Sequence, residues 1–281
     1  MTMEDSAGGR HYLMCPPDYF EVSYSINPWM DPHAVVDEQA AHEQWRGLVE
    51  TIREAGGLVE TIPAVPQLPD MVFVANGGIV SGDFFLPAAM RHPERQGETP
   101  HLLAWFEEFG CKLLDPPAAT QEGAGDALVF ADALVAGYGF RSERAAYEDV
   151  TARTGWRVVP VHLVDPRLYH VDIAFCPLGE RQALVVPDAF DREARRALAD
   201  LVPDPVLLTM EEALAFSANS IVIGQVVIMP ACSARLEAEL RRRGFEVVVH
   251  PVGEFLKAGG GVRCLTLTLD NTLLTGAGTH G

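Results

Sequence analysis

Two kinds of apolar pattern alternate along the chain. Short runs rich in β-branched and aromatic residues predict strands, and stretches with apolar residues every three or four positions predict amphipathic helices. The strand-like runs are HYLMC at 11–15, DMVFVAN at 70–76, ALVFADALVAGYG at 127–139, WRVVPVHLV at 156–164, ALVVP at 183–187, SIVIGQVVIMP at 220–230, FEVVVHPV at 245–252 and RCLTLTL at 263–269. The helical patterns lie near 34–55, 100–110, 142–154, 190–201 and 232–244. This alternation predicts an α/β fold.

The predicted elements fall into about five groups, each with strands and a helix and each roughly 50 residues long. Groups of this kind indicate a structural repeat, although we find no repeated motif in the letters themselves. No Ser- or Pro-rich linker divides the chain. We therefore expect one domain over residues 10–272, with small, polar and loose termini at 1–9 and 273–281.

Composition and charge limit the classes of partner. The 281 residues are 48% hydrophobic, enough to bury a large core, and carry a net charge of −18 at pH 7. An acidic surface repels phosphate backbones and anionic lipids, so we expect no nucleic-acid and no membrane partner, whereas a small cation is attracted. The N-terminus lacks the pattern of a signal peptide, and no run of about 20 apolar residues predicts a membrane span. We expect a cytoplasmic protein.

Cys264 is the first candidate for chemistry. The five cysteines are widely spaced, without a CxxC pair or a Cys/His cluster, which argues against a disulfide framework and a structural metal site. Cys264 follows three glycines in KAGGGVRCLTLTL and precedes a strand-like run. Glycines let a backbone approach a ligand closely, so the thiol is expected at the mouth of a strand. The alternative is an inert cysteine of the core.

A cysteine nucleophile needs a partner for proton transfer, and His170 is the best candidate. It lies in VDPRLYHVDIAFCPLG, where Asp172 is two residues later and on the same face if the segment is extended. The alternative is a histidine that only fills space. Glu122 and Asp126 lie in EGAGDALVF, a glycine-rich turn that either presents acids to a cation or simply connects two elements. Asn76 ends DMVFVANGG, where Asn-Gly is first of all a turn signal.

Together these residues fit one chemistry. A guanidinium group is planar, cationic and a poor electrophile, so attack at its carbon needs carboxylates that hold its nitrogens, a thiolate, and an acid that protonates the departing ammonia. The residues that meet this need, each beside a predicted strand end, are Cys264, His170, Glu122, Asp126 and Asp172. They predict a cysteine-dependent hydrolase that acts on the guanidinium of arginine or a close relative.

Seven segments resemble, in order, the guanidine-modifying superfamily of arginine deiminases, dimethylarginine dimethylaminohydrolases and amidinotransferases. They are INPWMD, LPDMVFVANGG, HPERQGE, EGAGDAL, AGYGFRSE, VDPRLYHVDIAFCPL and KAGGGVRCLTL, and the resemblance extends over about residues 11–270. The chain is most similar to the arginine dihydrolase branch. The resemblance implies a pentein fold, a five-bladed αβ propeller with pseudo-fivefold symmetry around a central substrate pocket.

The resemblance also implies roles for individual residues. Cys264 would form a covalent thioether with the amidino carbon, His170 would move protons, and Glu122 would pair with His170 or with the guanidinium. The implied substrate-binding residues are Asn27, Asn76, Asp126, Arg141 and Asp172, of which the two aspartates would grip the guanidinium or orient neighbours. No metal and no organic cofactor is expected, and dimers are common among such enzymes.

Asn76 and Ala89 bear on the identity of the substrate. Deiminases of the superfamily commonly have Asp in place of Asn76, whereas the dihydrolase branch has Asn, which implies conversion of arginine to ornithine, ammonia and carbon dioxide. Ala89, in LPAAMRHPERQGE, takes the place of an Arg that binds the substrate α-carboxylate in relatives, while Arg141 keeps a second such position. Two alternatives remain open. One is hydrolysis of dimethylarginine to citrulline and dimethylamine, and the other is a non-catalytic pentein binding module.

Overall fold

The structure, a computed structural model, describes residues 10–273 and confirms an α/β fold. Within these residues, fifteen strands form five sheets of three strands each. Each sheet, together with one helix, is a blade of a five-bladed propeller, which confirms the predicted pentein architecture. None of the helices within residues 10–273 has the length and apolar character that a membrane crossing requires.

The described part of the chain contains the following elements. The strands are β1 (His11–Met14), β2 (Leu58–Thr61), β3 (Gly78–Ser81), β4 (Phe84–Pro87), β5 (Lys112–Leu113), β6 (Ala127–Phe130), β7 (Ala133–Tyr138), β8 (Arg157–His162), β9 (Phe175–Pro177), β10 (Gln182–Val185), β11 (Asp204–Leu207), β12 (Ile221–Ile223), β13 (Val226–Met229), β14 (Glu246–Val249) and β15 (Leu267–Thr268). The helices are α1 (Glu38–Glu54), α2 (Pro93–Gln96), α3 (Thr99–Phe109), α4 (Arg144–Thr154), α5 (Arg192–Leu201), α6 (Met210–Leu214), α7 (Ala234–Arg242) and α8 (Gly253–Leu256).

All five blades are built in the same way. A buried inner strand pairs antiparallel with the middle strand, and a helix then crosses over to an outer strand that lies parallel to the middle one, as parallel pairing requires. In blade 3, for example, β6 and β7 form a hairpin, α4 crosses over, and β8 pairs with β7. The other blades are β15-β1-β2 (blade 1), β3-β4-β5 (blade 2), β9-β10-β11 (blade 4) and β12-β13-β14 (blade 5). The inner strands are thus β3, β6, β9, β12 and β15.

Blade 1 joins the two ends of the described chain. Its inner strand, β15, pairs antiparallel with β1, so that Tyr12 lies opposite Thr268 and Leu13 opposite Leu267. The β1 strand also pairs in parallel with β2. Because the inner strand of this blade comes from the far end of the chain, the ring of blades closes only when residues near both ends are in place.

The five long helices are confirmed close to their predicted positions, and local chemistry explains where three of them begin. The side chains of Asp37, Asp191 and Ser233 accept hydrogen bonds from backbone N–H groups in the first turns of α1, α5 and α7. Such caps satisfy N–H groups that have no partner within the helix. Each helix then buries an apolar stripe, as its three- and four-residue spacing predicts. The α1 and α7 helices contact β2 and β14 of their own sheets, whereas α5 contacts β8 of the neighbouring blade 3.

Two strand predictions are wrong in their position. Residues 70–76 form short 3₁₀ turns, at Pro69–Val72 and Val74–Gly77, and the strand starts only at Gly78. This run is buried on every side, so its continuous apolar character does not distinguish a strand from buried turns. The RCLTLTL run is likewise extended only at Leu267–Thr268, which places Cys264 in the turn before β15.

The predicted boundary at the C-terminal end is also slightly short. Leu273 is buried, and its backbone N–H donates to Ser81 Oγ at 2.8 Å. Packed chain therefore extends through Leu273. Residues 1–9 and 274–281, which we expect to be loose, lie outside the described residues.

Ring closure by β15 predicts a specific loss of stability. Leu267 is fully buried in β15, whereas Leu58, on β2 of the same sheet, is 45% exposed. We expect Leu267→Ala to lower the free energy of unfolding by about 2–4 kcal/mol, because it leaves a cavity in the core. Leu58→Ala should cost less than about 1 kcal/mol. Urea unfolding measures both, and equal losses would show that closure of blade 1 does not depend on this contact.

Candidate active site

One polar residue precedes the inner strand of each blade. Asn76 lies before β3, Glu122 before β6, His170 before β9, Asn219 before β12 and Cys264 before β15. All five side chains are buried. Since the inner strands surround one axis and start at the same end of the ring, these five side chains converge. Three of them, Asn76, His170 and Cys264, line a small cavity at this end.

The thiol of Cys264 is held by blade 5 and by the turn before blade 4. Asn219 Nδ2 donates to Cys264 Sγ at 3.1 Å, and Sγ donates to Asp172 Oδ2 at 3.3 Å. The side-chain oxygen of Asn219 also accepts from the backbone N–H groups of Arg263 and Cys264, at 3.0 and 3.3 Å. Burial raises the pKa of the Cys264 thiol well above its usual range, and the nearby Asp172 raises it further. In the free site Cys264 is therefore a thiol and not a thiolate.

His170 lies between a carboxylate and an amide. Its Nε2 is 2.8 Å from Glu122 Oε2, and its Nδ1 is 3.4 Å from Asn76 Nδ2. The amide orientation is fixed because Arg95 Nη1 donates to Asn76 Oδ1 at 2.8 Å. Nδ1 of His170 is consequently an acceptor, and Nε2 carries the proton. Burial lowers the pKa of His170 to about 4, although the hydrogen bond to Glu122 opposes the shift.

Glu122 remains an ionised carboxylate within the protein. Burial alone would raise its pKa, but Arg141 and His170 outweigh burial and hold the pKa below its usual range. Arg141 Nη1 donates to Glu122 Oε2 at 2.7 Å, and Arg141 Nη2 donates to the backbone oxygen of Ile26 at 3.0 Å. The guanidinium also lies over the ring of Tyr169, 4.8 Å from its centroid. Arg141 therefore connects the catalytic histidine candidate to the segment around Ile26 that covers the cavity.

A second buried arginine forms the wall beside Asn76. Arg95 donates to both carboxylate oxygens of Glu98, at 2.8 and 2.9 Å, in a bidentate pair. It also donates to the backbone oxygens of Asp70 and Phe73. Asp70 lines the cavity as well, and burial raises the pKa of its carboxyl group. Sequence reasoning quoted the motifs that contain Asp70 and Arg95 but gave neither residue a role.

The glycine run before Cys264 lets the backbone approach the cavity, as the sequence indicates. Gly259 has a φ of +80°, and a Cβ there would lie 2.8 Å from Asn27 Oδ1. Asn27 itself lines the cavity and donates from Nδ2 to the backbone oxygen of Ala258 at 3.0 Å. The turn before β6 is equally close, since a Cβ on Gly125 would lie 2.1 Å from Asn76 Nδ2. Both glycines are thus required by the packing of the site.

Four residues singled out in the sequence, Ala89, Glu122, Asp126 and Asp172, are not among those that line the cavity. Glu122 and Asp172 contact the lining residues His170 and Cys264. Asp126 is behind His170, where its carboxylate accepts from Ser142 Oγ at 2.7 Å and from the Val171 backbone N–H at 3.0 Å. Ala89 is paired with Gln121 through two backbone hydrogen bonds and is not among the residues that line the cavity. The expectation that Ala89 replaces a carboxylate-binding arginine stays a prediction. Its segment adjoins the site, because the backbone N–H of Arg91 donates to Glu122 Oε1 at 3.2 Å. Arg95 and Arg141 are the arginines that line the cavity.

Asn219 is a site residue that sequence reasoning missed, although the sequence contains a signal for it. Residues 73–76 read Phe-Val-Ala-Asn and residues 216–219 read Phe-Ser-Ala-Asn, and each segment is followed by a β-hairpin. The expectation that no motif repeats in the letters is therefore wrong. The two asparagines occupy equivalent positions before the inner strands of blades 2 and 5, where one contacts His170 and the other Cys264.

Two buried carboxylate oxygens at this site lack a hydrogen-bond donor among the described residues. They are Asp70 Oδ1 and Asp172 Oδ1. A buried carboxylate oxygen without a donor is costly, so both atoms are suited to a ligand that brings N–H groups. Among residues 10–273, no three His, Cys, Asp or Glu side chains converge to hold a metal ion. The site thus combines a thiol, an imidazole and acceptors for a cation.

The sequence matches one protein family over most of its length. The family described as N,N dimethylarginine dimethylhydrolase, eukaryotic, matches residues 24–270. An N(G),N(G)-dimethylarginine dimethylaminohydrolase of Mycobacterium tuberculosis is 39% identical over 263 residues, which cover 92% of this chain and 86% of that protein. The bifunctional arginine dihydrolase/ornithine cyclodeaminase ArgZ of Synechocystis is 40% identical over 269 residues, which cover 93% of this chain but 38% of that longer protein.

Solved structures agree with these matches. The N-terminal domain of ArgZ, an arginine dihydrolase from cyanobacteria crystallised with its substrate, has a TM-score of 0.90 and 38% identity, with 94% of this chain and 100% of that chain covered. A dimethylarginine dimethylaminohydrolase adduct with S-methyl-L-thiocitrulline has a TM-score of 0.79 at 21% identity, with 92% and 99% covered, and supports the fold alone. The chain spans the N-terminal domain of ArgZ and less than half of the full-length protein.

The buried Asp172 predicts a pH-dependent effect on stability. Burial raises the pKa of Asp172 to about 7, against the hydrogen bond from Cys264, whereas an unfolded Asp titrates near 3.9. Between these pH values the folded protein retains a proton that the unfolded chain releases, so this group loses its contribution to stability as pH rises. Asp172→Asn does not titrate. We expect its stability relative to wild type to increase from about pH 4 to pH 8, by on the order of a few kcal/mol.

Urea unfolding of both proteins at several pH values measures this difference. Asp200→Asn is the matched control, because Asp200 is exposed on α5 and its replacement should show no such trend. A constant difference between Asp172→Asn and wild type, or one that shrinks as pH rises, would contradict the assignment of a protonated Asp172.

Proposed function

Since the chain belongs to the N,N-dimethylarginine dimethylhydrolase family, we propose that it hydrolyses the guanidinium group of L-arginine in two steps to ornithine, two ammonia and carbon dioxide. The enzyme is a cysteine-dependent hydrolase of carbon–nitrogen bonds in linear amidines. Identity of 40% to ArgZ over 93% of the chain, and the match to its N-terminal domain, support this choice within the family.

The observation that carries the proposal is the pair of donor-free carboxylate oxygens beside a thiol. Asp172 contacts Cys264 Sγ through Oδ2 and leaves Oδ1 without a donor among the described residues. Asp70 lines the cavity together with Cys264, and its Oδ1 likewise lacks a donor. A guanidinium presents its N–H donors in one plane, so it can satisfy carboxylates while it exposes its carbon to a nucleophile. No neutral apolar ligand would satisfy these two oxygens.

The first step follows from the charges around Cys264. A guanidinium cation near Asp172 and Cys264 offsets the burial that keeps the thiol protonated, so the substrate itself favours the thiolate. Cys264 Sγ then bonds to the guanidinium carbon while a bond from that carbon to a terminal nitrogen breaks. The thiol proton passes through His170 Nδ1 to the departing nitrogen, which leaves as ammonia. An amidino-thioether on Cys264 remains.

The second half of the step releases this thioether. His170 Nδ1 takes a proton from water, the water oxygen bonds to the amidino carbon, and the carbon–sulfur bond breaks to restore the thiol. Glu122 and Arg141 hold the Nε2–H side of the imidazole throughout, so Nδ1 faces the reaction. Asp126 acts as a positioning residue, because it holds the backbone N–H of Val171 directly after His170. The product of this half is the ureido compound citrulline.

Asn76 is the reason to expect a second hydrolysis, in which the ureido group of citrulline is attacked. An amide at this position contributes no charge, and its nitrogen faces His170 while its oxygen is engaged by Arg95. The neutral ureido group is therefore not at a disadvantage relative to the guanidinium at this wall of the cavity. Cys264 Sγ then attacks the ureido carbon, and the bond from that carbon to its terminal nitrogen breaks to release ammonia. Water hydrolyses the thiocarbamate, which restores the thiol, and the carbamate that is released loses carbon dioxide to give ornithine. Arg141 uses two of its five N–H groups on protein oxygens, which leaves others for the α-carboxylate. Asn27 shapes the opposite wall.

A second function is supported by another observation. The relative from Mycobacterium tuberculosis, which is named as a dimethylarginine dimethylaminohydrolase, is 39% identical and is covered over 86% of its own length. Dimethylarginine would then give citrulline and dimethylamine. A non-catalytic pentein binding module is the remaining alternative, and it has no use for the convergence of thiol, imidazole and carboxylates. The cytoplasmic location and a homo-oligomeric state stay predictions from the sequence.

Product analysis with nucleophile variants tests the proposal. The protein is incubated with L-arginine, dimethylarginine and agmatine, and ammonia and amino-acid products are followed by mass spectrometry. We expect ornithine and two ammonia per arginine. Cys264→Ser should lower turnover by about a thousandfold or more, because a hydroxyl is a far weaker nucleophile. Cys111→Ser, at a partly exposed cysteine outside the cavity, is the matched control and should keep wild-type turnover. Turnover by Cys264→Ser, or silence on all three compounds, would sink the proposed chemistry.

Asn76→Asp tests the origin of the second round. A carboxylate at this position would bind the guanidinium more strongly than the ureido group, so citrulline should leave before it is attacked again. We expect the ratio of citrulline to ornithine to rise about tenfold, at little cost to consumption of arginine. Asn76→Gln keeps the amide and serves as the control for altered shape. An unchanged product ratio in Asn76→Asp would show that Asn76 does not decide between one and two hydrolyses.

A further inference from the structure

A second and larger cavity lies at the opposite ends of the inner strands. Its volume is about 380 Å³, within the range of small-molecule sites. Residues that follow four inner strands contribute to its walls: Ala131 after β6, Gly179 after β9, Gly224 after β12 and Asn271 after β15. It shares no lining residue with the catalytic cavity. The ring of blades therefore has a separate concave site at each end.

Arg263 presents an unsatisfied cation to this second cavity. Its backbone N–H donates to Asn219 Oδ1, and its side chain makes no hydrogen bond to any other described residue. A carboxyl group that it influences inside the ring is that of Asp172, whose pKa burial raises and Arg263 lowers. The Nε atom is fully buried without an acceptor among residues 10–273. A buried guanidinium N–H without an acceptor costs free energy, and a carboxylate is the ligand group that matches a guanidinium best. This cavity is therefore suited to a carboxylate.

Asp270 presents the complementary charge. Its Oδ1 is buried and has no hydrogen-bond donor within the described residues. The nearest cation recorded for it is Arg10, whose Nη1 lies at 3.6 Å, beyond hydrogen-bond distance, and whose side chain is about half exposed. A carboxylate oxygen in this position needs an N–H donor, and a compact ammonium group can supply several. In this cavity Arg263 Nε therefore lacks a hydrogen-bond acceptor, and Asp270 Oδ1 lacks a hydrogen-bond donor, among residues 10–273.

The charged residues that line the cavity also favour a ligand that carries both a positive and a negative charge. Two arginines, Arg10 and Arg263, and two acids, Glu180 and Asp270, face the cavity, and its uncharged polar groups include Tyr12 and Thr268. An anion would leave the acids unpaired, and a cation would leave the arginines unpaired. A zwitterion satisfies both pairs.

We propose that this cavity binds a free α-amino acid, whose carboxylate pairs with Arg263 and whose ammonium pairs with Asp270. This site does not rest on the proposed hydrolase activity, because its cavity shares no lining residue with the catalytic cavity, although Arg263 directly precedes Cys264 in the chain.

Three small ligands test the contribution of the carboxylate and of the ammonium group separately. L-Alanine carries both groups, propionate carries only the carboxylate, and ethylamine carries only the ammonium. Binding to the full chain is measured by titration calorimetry and by saturation-transfer NMR. We expect L-alanine to bind at least about tenfold more tightly than either half. Equal binding of propionate and L-alanine would overturn the zwitterion site in favour of a plain anion site, and absence of L-alanine binding would overturn it altogether.

Variants locate the binding. Arg263→Met and Asp270→Asn should each weaken L-alanine about tenfold or more, and Asp270→Asn should leave propionate unchanged. Arg181→Met, at an exposed arginine next to the lining residue Glu180, is the matched control. Asn27→Ala, in the catalytic cavity, should not affect L-alanine. Asp270→Asn decides the question if Arg263→Met fails to fold, and loss of binding in Asn27→Ala with retention in Asp270→Asn would refute the proposal.

Discussion

Water does not reach the polar side chains at the centre of the ring, so their hydrogen bonds are made to other groups of the protein, both within a blade and between blades. One continuous chain meets this constraint: Arg95 donates to Asn76, Asn76 to His170, His170 to Glu122, and Arg141 to Glu122. The chain fixes the amide orientation and the imidazole tautomer together. The tautomer of His170 therefore depends on Arg95 and Arg141, which lie at the two ends of this chain, each two hydrogen bonds away from His170.

The groups outside this chain matter for the opposite reason. Asp70 and Asp172 each keep a buried oxygen without a donor among the described residues, and the thiol of Cys264 is protonated because burial raises its pKa. A cation in the cavity would satisfy the oxygens and favour the thiolate at once. A protein with a net charge of −18 attracts such a cation, but the two carboxylate oxygens determine where the cation binds. Binding of the proposed substrate would thus itself favour the thiolate of Cys264. Without substrate the cysteine stays a thiol, which is less reactive than a thiolate.

Local sequence predicts the elements of this fold better than it predicts the contacts among them. The helices follow from caps and apolar spacing, which act within a few residues. Residues 70–76 were wrong as a strand because a run that is buried on all sides has no alternation to read. Asp70, Arg95 and Asn219 escaped assignment because their partners are distant in the sequence. Asn219 contacts Cys264 45 residues later in the chain, and Arg95 contacts Asn76 19 residues earlier and the backbone oxygen of Asp70 25 residues earlier. Cys264, His170 and Glu122 follow from the set of groups that attack on a guanidinium needs, and the resemblance to a family adds Asn27 and Arg141 and the role of each residue.

The repeated Phe-x-Ala-Asn segments show how one blade position acquires different tasks. Asn76 and Asn219 precede equivalent inner strands, so the fold places both at the same height in the ring. Asn76 then faces an imidazole and Asn219 a thiol, because the neighbouring blades present His170 and Cys264 at that height. The backbone sets the distances, and the identity of five side chains sets the chemistry. A change of reaction within this fold therefore needs substitutions in the turns before the inner strands and in the segments that carry Asn27, Arg95 and Arg141, while the sheets, which hold those turns in place, need not change.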